Sequence, residues 1–159
     1  MELYHGSNQF VENPKVLPPT HPMDFGGGFY TTANYNQAQA FARRVVKLRG
    51  YSPVVNVYEF DETDIENYKI LKFDEPNAGW LRFVVSNRKM ECKNEDCDLI
   101  IGPVADDDVY ETIAALENEI YDEDEALKRL KVKKLFNQYV FKKQEIMNKL
   151  VFKEGINVE

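Results

Sequence analysis

The sequence is poor in cysteine, in histidine and in long apolar runs, and each shortage excludes something. Two cysteines occur, Cys92 and Cys97, too few and too close for the disulfide framework of a small secreted domain. They sit in the polar run Cys92-Lys93-Asn94-Glu95-Asp96-Cys97, which reads as a loop with two free thiols in a reducing compartment. A zinc site would need two further ligands, and the two histidines, His5 and His21, are far away in sequence. No apolar run approaches the ~18 residues of a membrane span, and no basic and apolar leader opens the chain. The expectation is a soluble, cytoplasmic, metal-free domain with no membrane partner.

Positive charge is also in deficit. Lys and Arg total 20 against 27 Asp and Glu, for a net charge of -7. A long-range field of that sign repels polyanions, which excludes a general nucleic-acid or anionic-membrane binder. A local basic groove is still compatible with it. What the chain does have is apolar and aromatic content, 43% and 13% over 159 residues. That is enough for one domain, 1–159, with a genuine core, and it excludes disorder as the main state.

The pattern alternates between strand and helix signals. A short strand is expected at Glu2 to His5, stopping at Gly6-Ser7-Asn8, and then a surface loop from Pro14 to Pro22. Asn34 to Arg49 predicts the clearest helix, with Ala38, Phe41, Ala42, Val45 and Leu48 on one face, Asn34 capping it and Gly50 ending it. Strands follow at Val54 to Phe60 and Tyr68 to Phe73, with an acidic turn between them. Pro76-Asn77 opens a helix with Trp80, Leu81, Val84 and Val85 inward. Asp98 to Val104 reads as a buried strand, Asp106 to Ile120 and Glu123 to Lys131 as helices. The Lys131-Val132-Lys133-Lys134 cluster falls where the last helix dipole favours positive charge. Strands at Leu135 to Phe141 and Lys149 to Phe152, with one helical turn at Gln144 to Asn148, close the chain. Strands at both ends with helices between favour an α+β fold over a doubly wound parallel sheet.

Two glycine sites stand out as candidates for chemistry. Gly26-Gly27-Gly28 permits positive φ and close approach to the main chain, although taken alone such a run is more often a flexible turn. It is neither a phosphate-binding loop ending in Gly-Lys-Ser/Thr nor a dinucleotide GxGxxG. It leads directly into Phe29-Tyr30-Thr31-Thr32, and eleven residues after Tyr30 comes Phe41 on the next helix. The other site is Tyr4-His5-Gly6-Ser7, where a histidine ends a strand beside small residues.

Leu3-Tyr4-His5-Gly6-Ser7, then Gly28-Phe29-Tyr30-Thr31-Thr32 and Phe41, resemble the ADP-ribosyltransferase superfamily. The branch is the one holding diphtheria toxin and the poly(ADP-ribose) polymerase catalytic domains. Within it the chain looks closest to a compact bacterial family of unknown function. Val54-Val55-Asn56-Val57-Tyr58 is similar to the strand after the helix in diphtheria toxin. Asn137-Gln138-Tyr139-Val140-Phe141 and Leu150-Val151-Phe152 resemble the closing strands of the polymerases. The resemblance touches both ends of the chain.

It implies an α+β fold with a split β-sheet cleft and flanking helices, and NAD as co-substrate. His5 would then hydrogen-bond ribose hydroxyls, Ser7 would add a hydroxyl partner, and the Gly6 backbone would pair with the nicotinamide carboxamide. Tyr30 and Phe41 would sandwich the pyridinium ring by stacking and cation–π attraction, roughly 0.5–2 kcal/mol per face. Ordinary helix core is the other account of Phe41. Gln138 stands where active members of the family carry a catalytic Glu. An amide keeps a hydrogen bond to the ribose 2′-hydroxyl but supplies no charge to an oxocarbenium-like transition state. The implied activity is therefore mono-ADP-ribosylation of a protein or nucleic-acid acceptor, with an inactive NAD or ADP-ribose binding module as the rival. Stand-alone bacterial members often act as toxins, so the resemblance also implies a neutralising antitoxin protein.

Other residues stay open at this level. One of Asp106-Asp107-Asp108 could replace the missing carboxylate, or Asp106 caps a helix whose first turn holds the others. Arg82 and Arg88 could clamp phosphate, or Arg82 could pair at the surface. Arg43, Arg44, Lys47 and Arg49 form the one basic cluster near the motif, which a solvated helix face also explains.

Overall fold

The computed structural model describes residues 1–17, 23–89, 96–104, 107–130 and 136–159, with only the backbone described at 107–110. His21, most of the proline cluster, Cys92, Asp106 and Lys131 to Lys134 lie outside the described residues, as do the Asp107 and Asp108 side chains.

Seven strands and five helices follow one another along the described chain. They are β1 (Glu2–Ser7), β2 (Phe29–Thr32), α1 (Tyr35–Arg49), β3 (Val54–Glu59), β4 (Ile70–Lys72), α2 (Ala78–Arg88), β5 (Leu99–Pro103), α3 (Asp107–Glu117), α4 (Glu123–Leu130), β6 (Asn137–Phe141), α5 (Gln144–Met147) and β7 (Val151–Asn157). The strands form one sheet in the order β4-β5-β6-β2-β1-β3-β7. Every neighbouring pair is antiparallel except β4 with β5. The fold is thus α+β, as the element order predicts.

Local chemistry accounts for the helices that frame the site. The Asn34 side chain accepts from the Gln37 N–H at 2.9 Å and so caps α1, and the Gly50 N–H closes its end on the Val46 carbonyl at 2.8 Å. Asn77 caps α2 in the same way, accepting from the Trp80 N–H at 2.9 Å. Two expectations need correction. β1 does not stop before Gly6 but runs through Ser7, because Gly6 pairs with Val55 and Ser7 with Val54 of β3. Leu48 is not core: it is 82% exposed, while Ala38 and Ala42 make the buried contact of α1.

The side chains alternate between two faces of the sheet. On one face Leu3, Phe29, Tyr58, Leu99, Ile101, Tyr139 and Phe141 pack with Phe60 and with Ile146 and Met147 of α5. On the other, Ile100 and Val140 pack under Trp80, Leu81, Ile113 and Leu130 from α2, α3 and α4. The same face under α1 carries Val55 with Ala38 and Val158. Four of the described helices therefore cover one face in two groups, α1 over β1 and β3, and α2 to α4 over β5 and β6, while α5 packs on the other face.

The sheet is not equally zipped throughout. β1 and β3 run in register from Glu2↔Glu59 to Ser7↔Val54, and β5 and β6 from Leu99↔Phe141 to Pro103↔Asn137. β2 stays paired with β6 from Phe29↔Phe141 to Thr32↔Gln138. Between β1 and β2 a single register pair, Tyr4↔Thr32, joins the two blocks. Among the described residues no helix is long and apolar enough to cross a membrane.

Candidate functional site

The candidate residues gather at that seam. Beyond Tyr4↔Thr32, the His5 side chain replaces the backbone ladder. Its Nδ1 lies 2.7 Å from the Tyr30 carbonyl oxygen. A carbonyl only accepts, so Nδ1 carries the proton and donates. The imidazole also stacks on Phe29, ring centroids 4.3 Å apart at 30°. Burial pushes the His5 pKa down, opposed by the bond to the Tyr30 carbonyl. The ring is then neutral, and its Nε2 presents a lone pair that accepts a hydrogen bond.

Gly6 has a packing reason to be glycine. A Cβ there would meet the Ala38 carbonyl oxygen at 2.2 Å and the Ala42 nitrogen at 2.7 Å. The glycine lets α1 lie directly on β1. Ser7 is buried beside it at 8% exposure.

Tyr30 leaves β2 on the helix-covered face, where it packs beside Val140 and Phe25 in the larger helical cluster. Its hydroxyl donates to the Gly26 carbonyl at 2.5 Å and accepts from the Phe25 N–H at 3.0 Å. The glycine run is therefore the clamp for the phenol. Gly28, at φ 149°, brings the chain against the Phe141 carbonyl, which a Cβ would meet at 2.7 Å. His5 and Tyr30 thus point to opposite faces and meet through the main chain at the gap.

Gln138 sits one step along β6, opposite Thr32 and Gly102, on the same face as Tyr30. Diagonal neighbours of this kind are about 7–8 Å apart. Gln138 is 5% exposed, and its Nε2 is buried with no hydrogen-bond partner. An orphaned buried amide N–H costs about 1–3 kcal/mol and asks for an acceptor. This is the strongest sign of a ligand in the structure.

Phe41 belongs to α1, so it shares the face of Tyr30 and Gln138, one residue from Ala42 on Gly6. It is 41% exposed and stacks on no ring among the described residues. A half-exposed aromatic face on α1, not a core ring, is what the helix presents.

The structure adds residues that the sequence reading passed over. Thr32 Oγ1 donates to Gln37 Oε1 at 2.7 Å and accepts from the Asn34 N–H at 3.1 Å. The strand end and the α1 cap are thereby fixed together next to Gln138. Asn34 as a cap with Thr32 two residues before it was the available signal. On the other face, Tyr139 donates to Glu62 Oε1 at 2.5 Å, and burial together with that bond raises its pKa. Arg82 makes the surface pair: it is exposed and pairs with Glu123 at 2.7 Å across from α2 to α4. Among the described residues no group of three or more His, Cys, Asp or Glu could hold a metal ion.

These features define an α+β protein with a seven-stranded open sheet and a polar, uncharged seam at its centre. The chain belongs to the family described as "Protein of unknown function (DUF3990)", whose model matches residues 1–152. Neither a curated protein nor a solved structure matches it.

Proposed function

We propose that the seam is an NAD site and that the chain is a mono-ADP-ribosyltransferase of a macromolecular acceptor, with Gln138 in the position of the usual catalytic Glu. The observation that carries the reading is the Gln138 Nε2 donor, buried without a partner and diagonal to Tyr30 where the sheet is joined by one register pair. The available groups fit a ribose. Gln138 offers a donor on the helix-covered face and His5 Nε2 an acceptor on the opposite face, so each would serve a different hydroxyl group of the dinucleotide. Tyr30, pinned at its hydroxyl, and the free face of Phe41 suit a flat cationic ring.

When NAD binds, the bond at stake is the glycosidic one between nicotinamide and ribose, whose cleavage develops positive charge on the sugar. Gln138 orients the 2′-hydroxyl and leaves that charge without a carboxylate, which lowers the rate by about 100-fold relative to a Glu. Tyr30 and Phe41 hold the ring, and His5 with Ser7 hold hydroxyl groups. The Gly6 backbone has a role toward the carboxamide in this reading besides its role in packing α1.

The same glutamine supports a second reading, a module that binds NAD or ADP-ribose without turnover. Calorimetric titration with NAD+ and a nicotinamide-release assay separate the two. Binding with release above that of Gln138→Ala supports the transferase. Binding with release no greater than that control assigns the module, and absence of binding removes both. A neutralising protein partner is part of the transferase proposal and would be sought by co-purification.

A further inference from the structure

Asn34-Tyr35-Asn36-Gln37 at the start of α1 has the form of a capping box, in which the fourth residue reaches back to the main-chain N–H of the first. Asn34 does its part and accepts from the Gln37 N–H at 2.9 Å. The return bond is made by another residue. The Asn34 N–H goes to Thr32 Oγ1 at 3.1 Å, and the Gln37 side chain turns to the same group, accepting from the Thr32 hydroxyl at 2.7 Å. The Asn137 carbonyl, at 3.4 Å, is the longer alternative for that proton. Gln37 Oε1 is therefore the end turned to Thr32, and the Nε2 amino group is the end turned away. That donor has no hydrogen-bond partner among the described residues.

The cap accounts for the oxygen of Gln37 and leaves its nitrogen unused. Thr32 stands directly across from Gln138 on the β2–β6 ladder. Side chains opposed in this way share one face of the sheet, with Cβ atoms about 4.5–5.5 Å apart. The Gln37 amide, hydrogen-bonded to Thr32, is thus a close neighbour of the Gln138 amide, whose Nε2 is buried without a partner. Thr32 and Gln138 are buried and Gln37 is half-buried, so one amide lies deep and the other at the rim. Phe41 follows Gln37 by four residues, one turn along the same side of α1. Two uncharged amides side by side, each with N–H to give, match two adjacent hydroxyl oxygens such as the vicinal pair of a ribose.

We infer that Gln37 determines specificity at this site, its Nε2 donating to the ribose 3′-hydroxyl beside the 2′-hydroxyl that Gln138 holds. The inference rests on the NAD reading proposed above and extends it, because the two amides together select a nicotinamide ribose with both hydroxyls free.

The test is calorimetric titration with NAD+ and with its analogue lacking the 3′-hydroxyl of the nicotinamide ribose. The unsubstituted chain should bind the analogue about fivefold more weakly than NAD+, the worth of one neutral hydrogen bond. Gln37→Met, close in length and without an amide, should weaken NAD+ by the same factor and leave the analogue as it was. Weakening of both probes alike would show that Gln37 serves only the start of α1 and overturns the inference. Equal affinity of the unsubstituted chain for the two probes also overturns it and leaves the NAD reading standing, whereas no binding of NAD+ removes both. Side-chain amide NMR of the unsubstituted chain gives a check that needs no variant to fold. The Gln37 Nε2 proton signals should shift more with NAD+ than with the analogue, and equal shifts overturn the inference.

Discussion

The β5–β6 ladder and the β1–β2 join lie in one sheet but follow different rules. In the first, every register position from Leu99↔Phe141 to Pro103↔Asn137 is paired, and Leu99, Ile100, Val140 and Phe141 are fully buried. In the second, pairing is confined to Tyr4↔Thr32, a histidine side chain takes the place of a backbone donor, and a buried amide goes unpartnered. The ladder satisfies its own hydrogen bonds and repels water. The seam leaves the Gln138 donor unpartnered among the described residues. Under the proposed function, stability and ligand binding are divided between two parts of the same sheet.

That division can be broken most severely from the ladder side. Ile100→Ala, at a fully buried position under the α2 to α4 helices, should cost roughly 2–5 kcal/mol in denaturant unfolding, by lost burial and the cavity left behind. A loss below about 1 kcal/mol would mean that this part of the core collapses easily around the hole. Next comes Gly6→Ala at the seam. Its methyl group would be pushed against main-chain atoms of α1, so α1 must shift, with an expected loss of roughly 1–3 kcal/mol by the same measurement. An unchanged midpoint would show that α1 is free to move away from β1.

Gln138→Leu sharpens the comparison because it should act in the opposite direction. Replacing an unpartnered buried amide with a hydrocarbon of similar size removes a desolvation penalty of about 1–3 kcal/mol, so the midpoint should rise or hold while NAD binding falls. A large destabilisation would show that the amide is satisfied and structural. The smallest effect concerns His5, whose pKa burial lowers in the folded chain. The unfolded chain then binds more protons, so stability rises with pH between the folded pKa and the ordinary histidine value of about 6.5 and is lost as pH falls through that window. Chemical denaturation across pH 5 to 8 should show this slope, at most one proton in size, and its disappearance in His5→Gln. A slope retained in the variant would assign it to another group.

Much of the fold was legible because it rests on local causes. Apolar spacing and the Asn34 cap set α1 from Tyr35 to Arg49, and the β-branched run at Val54 set β3. Boundaries shifted where a neighbouring strand outweighed local preference. Gly6 and Ser7 are extended because β3 pairs with them, and β7 continues to Asn157 along the far edge of β3. Helical spacing grouped Leu48 with Ala38, yet the covered strip of α1 is narrower, with Ala38 and Ala42 buried and Leu48 82% exposed. Phe41 admitted two accounts for the same reason, since periodicity alone does not say how far the covered strip extends.

The residue order and the family resemblance it carries were enough to single out His5, Gly6, Ser7, Tyr30, Phe41 and Gln138 as candidates and to place them on strands or a helix. Their spatial relation came only from the folded chain. Tyr30 and Gln138 are more than a hundred residues apart and become neighbours through the β2–β6 register, and His5 meets Tyr30 only because β1 and β2 cease to pair after one step. Hydrogen-bond register between distant strands depends on the packing of whole faces, not on any short stretch of residues. The chain could therefore name candidate groups, and tertiary structure alone decided which of them would be left with an unused donor or acceptor.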